Sequence, residues 1–362
     1  MKKTAAFCLA MIMALSVAAC GTSENGTSAP ASGDATTAAV STAAPAGSDA
    51  PSEPASAWKP EKSISAEIGY SAGGSTDAAL RPLFSVAEGM AGQSIVVNNV
   101  AGGSASISFA AAMEQPADGH TLIIGAETPA LYDAYDLIDY TYDDVEIIMV
   151  VASTDNFVFV SKDSPYQTFK DMVEAELAEP GKVLKVASGN VGANANVSAV
   201  IKACTGAEFQ SYTSDGSGST VTTVMGGFAD WGLASYSSLK DYIESGDVRL
   251  LCAMDSTSKV EGVSPVTDEY PDMGKYLPMN AFYTVTVKKG TDQAAIDYYT
   301  DLFTKAFQSE EYQETLKNMG LVPQGLTGDA AREYVDTYRK NAITVLSEVG
   351  AIAHTPAELG LE

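Results

Sequence analysis

Basic residues are scarce in this chain of 362 residues: 21 Lys and Arg stand against 46 Asp and Glu, a formal net charge of −25. A field of that sign disfavours nucleic acid and anionic lipid surfaces as partners of the folded body. Histidine is scarcer, with only His120 and His354, far apart in the chain. His120 reads as a turn residue at the start of a strand, and His354 lies in the tail. A serine or cysteine nucleophile would therefore have to work without a histidine base. The chain also lacks a Gly-x-Ser-x-Gly elbow, a Walker loop, Gly-x-Gly-x-x-Gly and His-Glu-x-x-His. These absences argue against an enzyme, and no cofactor is expected.

Four cysteines are present, without a Cys-x-x-Cys or a metal-ligand spacing, so no metal site is expected. Cys204 and Cys252 are left for the body; a bridge and two buried thiols both fit their positions. Long apolar runs are missing too. Ala5 to Val17 is too short to span a bilayer, and no later stretch is longer. With Lys2 and Lys3 before it and Val17-Ala18-Ala19-Cys20 after it, this run reads as a secretory signal with a lipoprotein-type processing site over residues 1–19. Cys20 would then carry the lipid that anchors the mature chain to the outer face of a bacterial membrane. Losing Lys2 and Lys3 leaves 19 basic against 46 acidic residues.

Gly21 to Ala57 is nearly all Ala, Ser, Thr, Gly and Pro, which cannot bury enough surface to offset chain entropy. Residues 20–60 are thus expected to form a flexible tether. From about Trp58 onward, strand and helix patterns alternate, predicting doubly wound α/β sheets with ligands at the carboxyl ends of strands. Two lobes are expected, 61–161 with 283–362 and 162–282. Phe157 to Ser161 and Ala281 to Val287 would be the connecting strands, and the chain after Val287 reads as mostly helix.

Four Gly/Ser-rich loops each join a predicted strand to a predicted helix: Ser71–Asp77, Ala101–Ser108, Ser188–Asn194 and Ser214–Ser219. Glycine permits positive φ and close approach, and a following helix start offers unpaired N–H donors. Ser75, Thr76, Ser104 and Ser217 add hydroxyls. The candidate ligand contacts are Gly73, Gly74, Ser75, Thr76, Asp77, Gly102, Gly103, Ser104 and Ser106, with Ser188, Gly189, Asn190, Gly192, Asn194, Asp215, Gly216 and Ser217 from the second lobe. Asp77, in a first helical turn, also reads as a brace for its loop. Glu127 and Thr128 follow a strand and fit either the cleft or a solvated loop.

The run Gly69-Tyr70-Ser71-Ala72-Gly73-Gly74-Ser75-Thr76-Asp77 resembles the Pro-Gly-Gly-x-Thr-Asp loop of the Bug/TctC family, the extracytoplasmic solute receptors of tripartite tricarboxylate transporters. Val96-Val97-Asn98-Asn99 and Asp118-Gly119-His120-Thr121-Leu122 resemble its next block. Val186-Ala187-Ser188-Gly189 with Gly192, then Tyr212, Gly216, Gly226-Gly227 and Asp230, resemble later ones, and Asn318-Met319-Gly320-Leu321 a late helix end. The resemblance runs from about Lys62 to Ile352. It implies the two-lobed fold of type II periplasmic binding proteins and a small carboxylate, di- or tricarboxylate or a related organic acid, held through backbone amides and waters. It also implies partnership with membrane permease subunits; a monomer is expected. Ala72, Ala105, Ser108 and Asn196 depart from the family pattern, which bears on which ligand is bound.

Competing classes are a receptor that presents its ligand to a membrane sensor, and a periplasmic hydrolase. An amino-acid or sulfonate receptor of another type II family would ordinarily use a cleft arginine. Arg81, Arg249, Arg332 and Arg339 are the only arginines, and none stands in a glycine loop. Trp231 is expected to pack within the second lobe.

Overall fold

The computed structural model describes residues 58–178, 183–188, 191–214 and 217–361. The predicted signal, Cys20 and nearly all of the predicted tether lie outside these residues, as do Gly189, Asn190, Asp215 and Gly216. The first part of the body runs β1 (Ile64–Ile68), α1 (Ser75–Ala91), β2 (Ile95–Asn99), α2 (Ser106–Met113), β3 (Thr121–Gly125) and β4 (Val145–Ser153). Next come β5 (Asn156–Ser161), α3 (Phe169–Ala178), β6 (Lys185–Ser188), α4 (Ala193–Thr205) and β7 (Gln210–Thr213). Then follow α5 (Ser217–Met225), β8 (Trp231–Ser235), α6 (Tyr236–Glu244) and β9 (Val248–Ala253). The chain closes with β10 (Phe282–Lys288), α7 (Gln293–Phe307), α8 (Glu310–Asn318), β11 (Val322–Leu326) and α9 (Gly328–Glu348).

The strands form two mixed sheets. The first has the order β11-β4-β10-β3-β1-β2, and the second β7-β6-β8-β5-β9. In the first, β1 runs parallel to β2 and β3, while β10 is antiparallel to β3 and β4. In the second, β6 runs parallel to β7 and β8, and β5 antiparallel to β8 and β9. The α/β two-lobed fold expected from the alternation is therefore the one observed. One boundary differs. The expected first lobe includes residues 157–161, but β5 pairs within the second sheet. The chain crosses between sheets at 154–155 and returns just before β10. There the Thr154 N–H donates to Ala281 O at 2.8 Å, lacing the two crossings together.

Local patterns explain most elements. Leu80, Leu83, Phe84 and Ala87 repeat at helical spacing on α1 and are buried against the first sheet, and Gly92 ends the helix at φ 66°. Each such large apolar side chain contributes roughly 1.5–3 kcal/mol by leaving water. The strand β11 was not expected from the sequence. Pro323 and Gly325 (φ 58°) interrupt its pattern, and its register with β4 breaks between Pro323 and Leu326, which an edge strand tolerates. The long α9 buries Val335, Tyr338, Ala342, Ile343 and Leu346 in a core that also takes in residues of both sheets, among them Val150 and Trp231. Trp231 is fully buried, packed edge-on against Phe209.

Candidate functional site

Because β1, β2 and β3 are parallel, their carboxyl ends open on one edge, and the segments after them gather there. The first loop is braced from within. Gly73, at φ 75°, donates its N–H to Asp77 Oδ2 at 2.9 Å, and Gly74 donates to Ser71 O at 3.0 Å. Arg81 grips the same carboxylate through Nε (3.2 Å) and Nη2 (2.5 Å). Asn99, at the end of β2, bridges Asp77 Oδ1 (3.1 Å) and Tyr70 O (3.0 Å). Burial pulls the Asp77 carboxyl upward, but Arg81, the Gly73 amide and Asn99 outweigh it and hold it below the usual carboxylate range. Asp77 therefore shapes the loop. The donors left at the start of α1 are first-turn amides such as those of Ser75 and Thr76, which have no partner within a helix.

The second loop turns left-handed over four residues: Gly102 (φ 140°), Gly103 (56°), Ser104 (54°) and Ala105 (71°). Ser104 and Ala105 carry side chains in a region that glycine prefers, so the neighbours must hold them there. Ser104 O accepts from Thr128 Oγ1 (3.1 Å) and Tyr132 OH (3.0 Å). Ala105 lies against Gly69, where an added Cβ would come within 2.3 Å of the Ala105 Cβ. Thr128 Oγ1 also pairs with Tyr70 OH at 2.8 Å, so one hydroxyl ties the first two loops to the end of β3. Ser106 is buried, with its Oγ close over Gly103.

On the second sheet β6 and β7 are parallel, and the loops after them again share an edge. Ser188 is buried; its carbonyl accepts the Ser214 N–H and the Ser211 hydroxyl, each at 3.3 Å. Asn194 Nδ2 donates to Leu233 O (3.2 Å), and Ser217 Oγ accepts from Ser235 N (3.3 Å). Gly192 sits at φ 101° just before α4. The next residue, Ala193, donates its N–H to Glu127 Oε1 at 3.1 Å. This bond brings the carboxyl edges of the two sheets face to face. A family model described as "TctC: Tripartite tricarboxylate transporter family receptor" matches residues 81–350. The chain belongs to that family.

The relatives agree with that family, and the solved structures with the fold. Protein BugT of Bordetella pertussis is 25% identical over 299 residues, covering 81% of this chain and 90% of BugT. A Cupriavidus necator protein is 23% identical over 294 residues, covering 80% of this chain and 88% of its own. The structure of an R. palustris protein with adipate superposes with a TM-score of 0.71 at 20% identity, covering 80% of this chain and 98% of the other. MatC from Rhodopseudomonas palustris with bound malate gives 0.67 at 15%, covering 80% and 99%.

In this TctC receptor, the residues that join the candidate loops lie outside the predicted ligand contacts. Tyr70 and Asn99 stand in the blocks that resemble the family but have no role there that sequence alone assigns, and their roles, with those of Arg81 and Tyr132, emerge only when β1, β2 and β3 pair. The sequence leaves Glu127 between cleft and solvent; in the structure it is 8% exposed and lies at the junction of the two edges. Burial pushes its carboxyl up, opposed by hydrogen bonds from its own amide and that of Ala193. Tyr70, Tyr132 and Tyr338 are raised chiefly by burial, with Glu127 adding to it, so these phenols stay neutral. Asn196, where the family often has histidine, is fully buried and donates through Nδ2 to Tyr338 OH at 2.9 Å, tying α4 to α9. Cys204 and Cys252 are free thiols.

Proposed function

We propose that this receptor is a lipid-anchored extracytoplasmic protein that captures a small carboxylate between two lobes and delivers it to the membrane permease subunits of a tripartite tricarboxylate transporter. The supporting observation is the convergence of glycine-loop helix starts, those of α1 and α2 from one sheet and of α4 from the other, on a junction bridged by Glu127 and Ala193. Helix starts attract anions through unpaired N–H groups and the helix dipole. The adipate and malate held by the two R. palustris proteins fit the same ligand class.

An open form would take the carboxylate on Ser75, Thr76 and the 102–106 turn. The second-lobe loops around Gly192, Asn194 and Ser217 would then swing about the crossings at 154–155 and 281, excluding water and strengthening the amide–carboxylate bonds. Gly73, Gly74 and Asp77 would set the loop's shape. The lobes would comprise 61–153 with 282–362, and 156–281. Anchoring through Cys20 after removal of residues 1–19 would keep the body beside the permease.

A thermal-shift panel on the purified protein tests this function, setting small mono-, di- and tricarboxylates beside matched amides and sugars. At about a hundred times its dissociation constant, a true ligand adds roughly 2.7 kcal/mol of stability. Shifts confined to carboxylates are expected; shifts only with uncharged ligands would overturn the anion cleft. Palmitate labelling of the wild type that is lost in Cys20→Ser would support the anchor.

A further inference from the structure

Glu127 places a buried carboxyl at the junction proposed above to bind an anion. Its Oε1 accepts the Ala193 N–H at 3.1 Å, at the start of the 13-residue helix α4, and so takes up a donor that a bound carboxylate would use. Gly192 leaves room for it: a Cβ there would stand 2.9 Å from Oε1. The next residue, Thr128, bonds to Tyr70 OH and Ser104 O, which places Glu127 one residue from both first-lobe loops. Among the described residues, no Lys or Arg forms an ion pair with it. Its own amide and that of Ala193 hydrogen-bond the carboxyl, against the upward push of burial.

We propose that Glu127 is a specificity-determining residue: its carboxylate already fills the anion position on α4, so the cleft admits a solute with one carboxylate, held by the α1 and α2 loops, and rejects one whose far end carries a second. This rests on the carboxylate-receptor function proposed above and narrows it. The physical cause is like-charge repulsion in a site from which water is excluded, where opposing carboxylates cannot both stay ionised at close range without cost. Selectivity here comes from an element that repels the wrong solute as much as from contacts to the right one. A far end that is apolar, or that presents an O–H or N–H donor to Glu127, suits the site.

Calorimetric titration of the purified full-length protein with chain-matched pairs, butyrate against succinate and hexanoate against adipate, tests the idea. The wild type should favour the monocarboxylate of a pair by about tenfold or more. In Glu127→Gln and Glu127→Ala that preference should collapse or reverse, because the dicarboxylate gains affinity. Wild-type protein that binds a dicarboxylate as tightly as its monocarboxylate partner would overturn the proposal and leave the receptor function intact. An unchanged ratio in both variants would also overturn it. Binding of amides or sugars with no heat from any carboxylate would instead overturn the receptor function, and this inference with it.

Discussion

Asp77→Ala should loosen the first loop and weaken ligand binding, although Asp77 need not touch the ligand. The substitution removes four hydrogen bonds: from Gly73 N (2.9 Å), Arg81 Nε (3.2 Å), Arg81 Nη2 (2.5 Å) and Asn99 Nδ2 (3.1 Å). Charge-assisted bonds to a buried carboxylate are worth about 1.5–3 kcal/mol each in isolation. The sum is discounted, because the Arg81 side chain is 47% exposed and water re-solvates it. A net loss of about 2–3 kcal/mol remains. For a body of roughly 300 residues that lowers the melting temperature by roughly 3–5 °C. The pH dependence follows from the depressed carboxyl of Asp77. Its stabilisation is complete above the unfolded value of about 3.9 and is lost as pH falls through the lower folded value. Thermal melts of wild type and Asp77→Asn should therefore differ near neutral pH and converge in acid. A gap under about 1 °C at neutral pH, or one that persists unchanged in strong acid, would refute the assignment of Asp77 as the loop's brace.

Gly69→Ala should cost about 2 kcal/mol or more, since its Cβ would meet that of Ala105 at 2.3 Å. Adding Ala105→Gly should restore part of that loss in denaturant melts, and no restoration would argue against the close approach. Tyr142→Phe deletes a buried hydroxyl held 2.7 Å from Ala126 O and 2.8 Å from Thr284 Oγ1. Leaving these groups unsatisfied should cost about 1–3 kcal/mol, and a neutral effect in chemical denaturation would contradict the geometry. The thiols of Cys204 and Cys252 are unpaired, and burial raises both above the ordinary thiol range. A reductant should leave the melting temperature unchanged, and a stabilising disulfide would show as a drop.

Much of the candidate loops' geometry was legible because it is local. Glycine loops before helices announce themselves in a few consecutive residues, and Gly73, Gly102, Gly103 and Gly192 do adopt positive φ. The loops' internal bracing was partly legible too: the position of Asp77 in a first turn suggested support, and the Gly73 and Arg81 bonds provide it. Ala105 departs from the family pattern in sequence, but that it holds φ 71° against Gly69 depends on β1 and β2 pairing. The order of most elements and the return crossing near 281 could be read to within a few residues. The membership of β5 could not, because its apolar run fits a buried strand in either sheet. Pro323 and Gly325 concealed β11, since edge pairing overrides a poor local propensity.

The sequence by itself determined the class of the protein: alternating strands and helices, an acidic body poor in histidine and arginine, and glycine-rich loops before helices. These are properties of composition and short-range spacing, which the chain carries whether folded or not. Only the tertiary structure decided what fills the junction between those loops. Glu127 and Ala193 are 66 residues apart, and nothing in either neighbourhood specifies the other. Their meeting depends on two sheets presenting their carboxyl edges to each other, with α9 and its Tyr338–Asn196 bond linking the first lobe to α4. A carboxyl that in sequence fits either a cleft or a solvated loop is, in that setting, buried at a helix start.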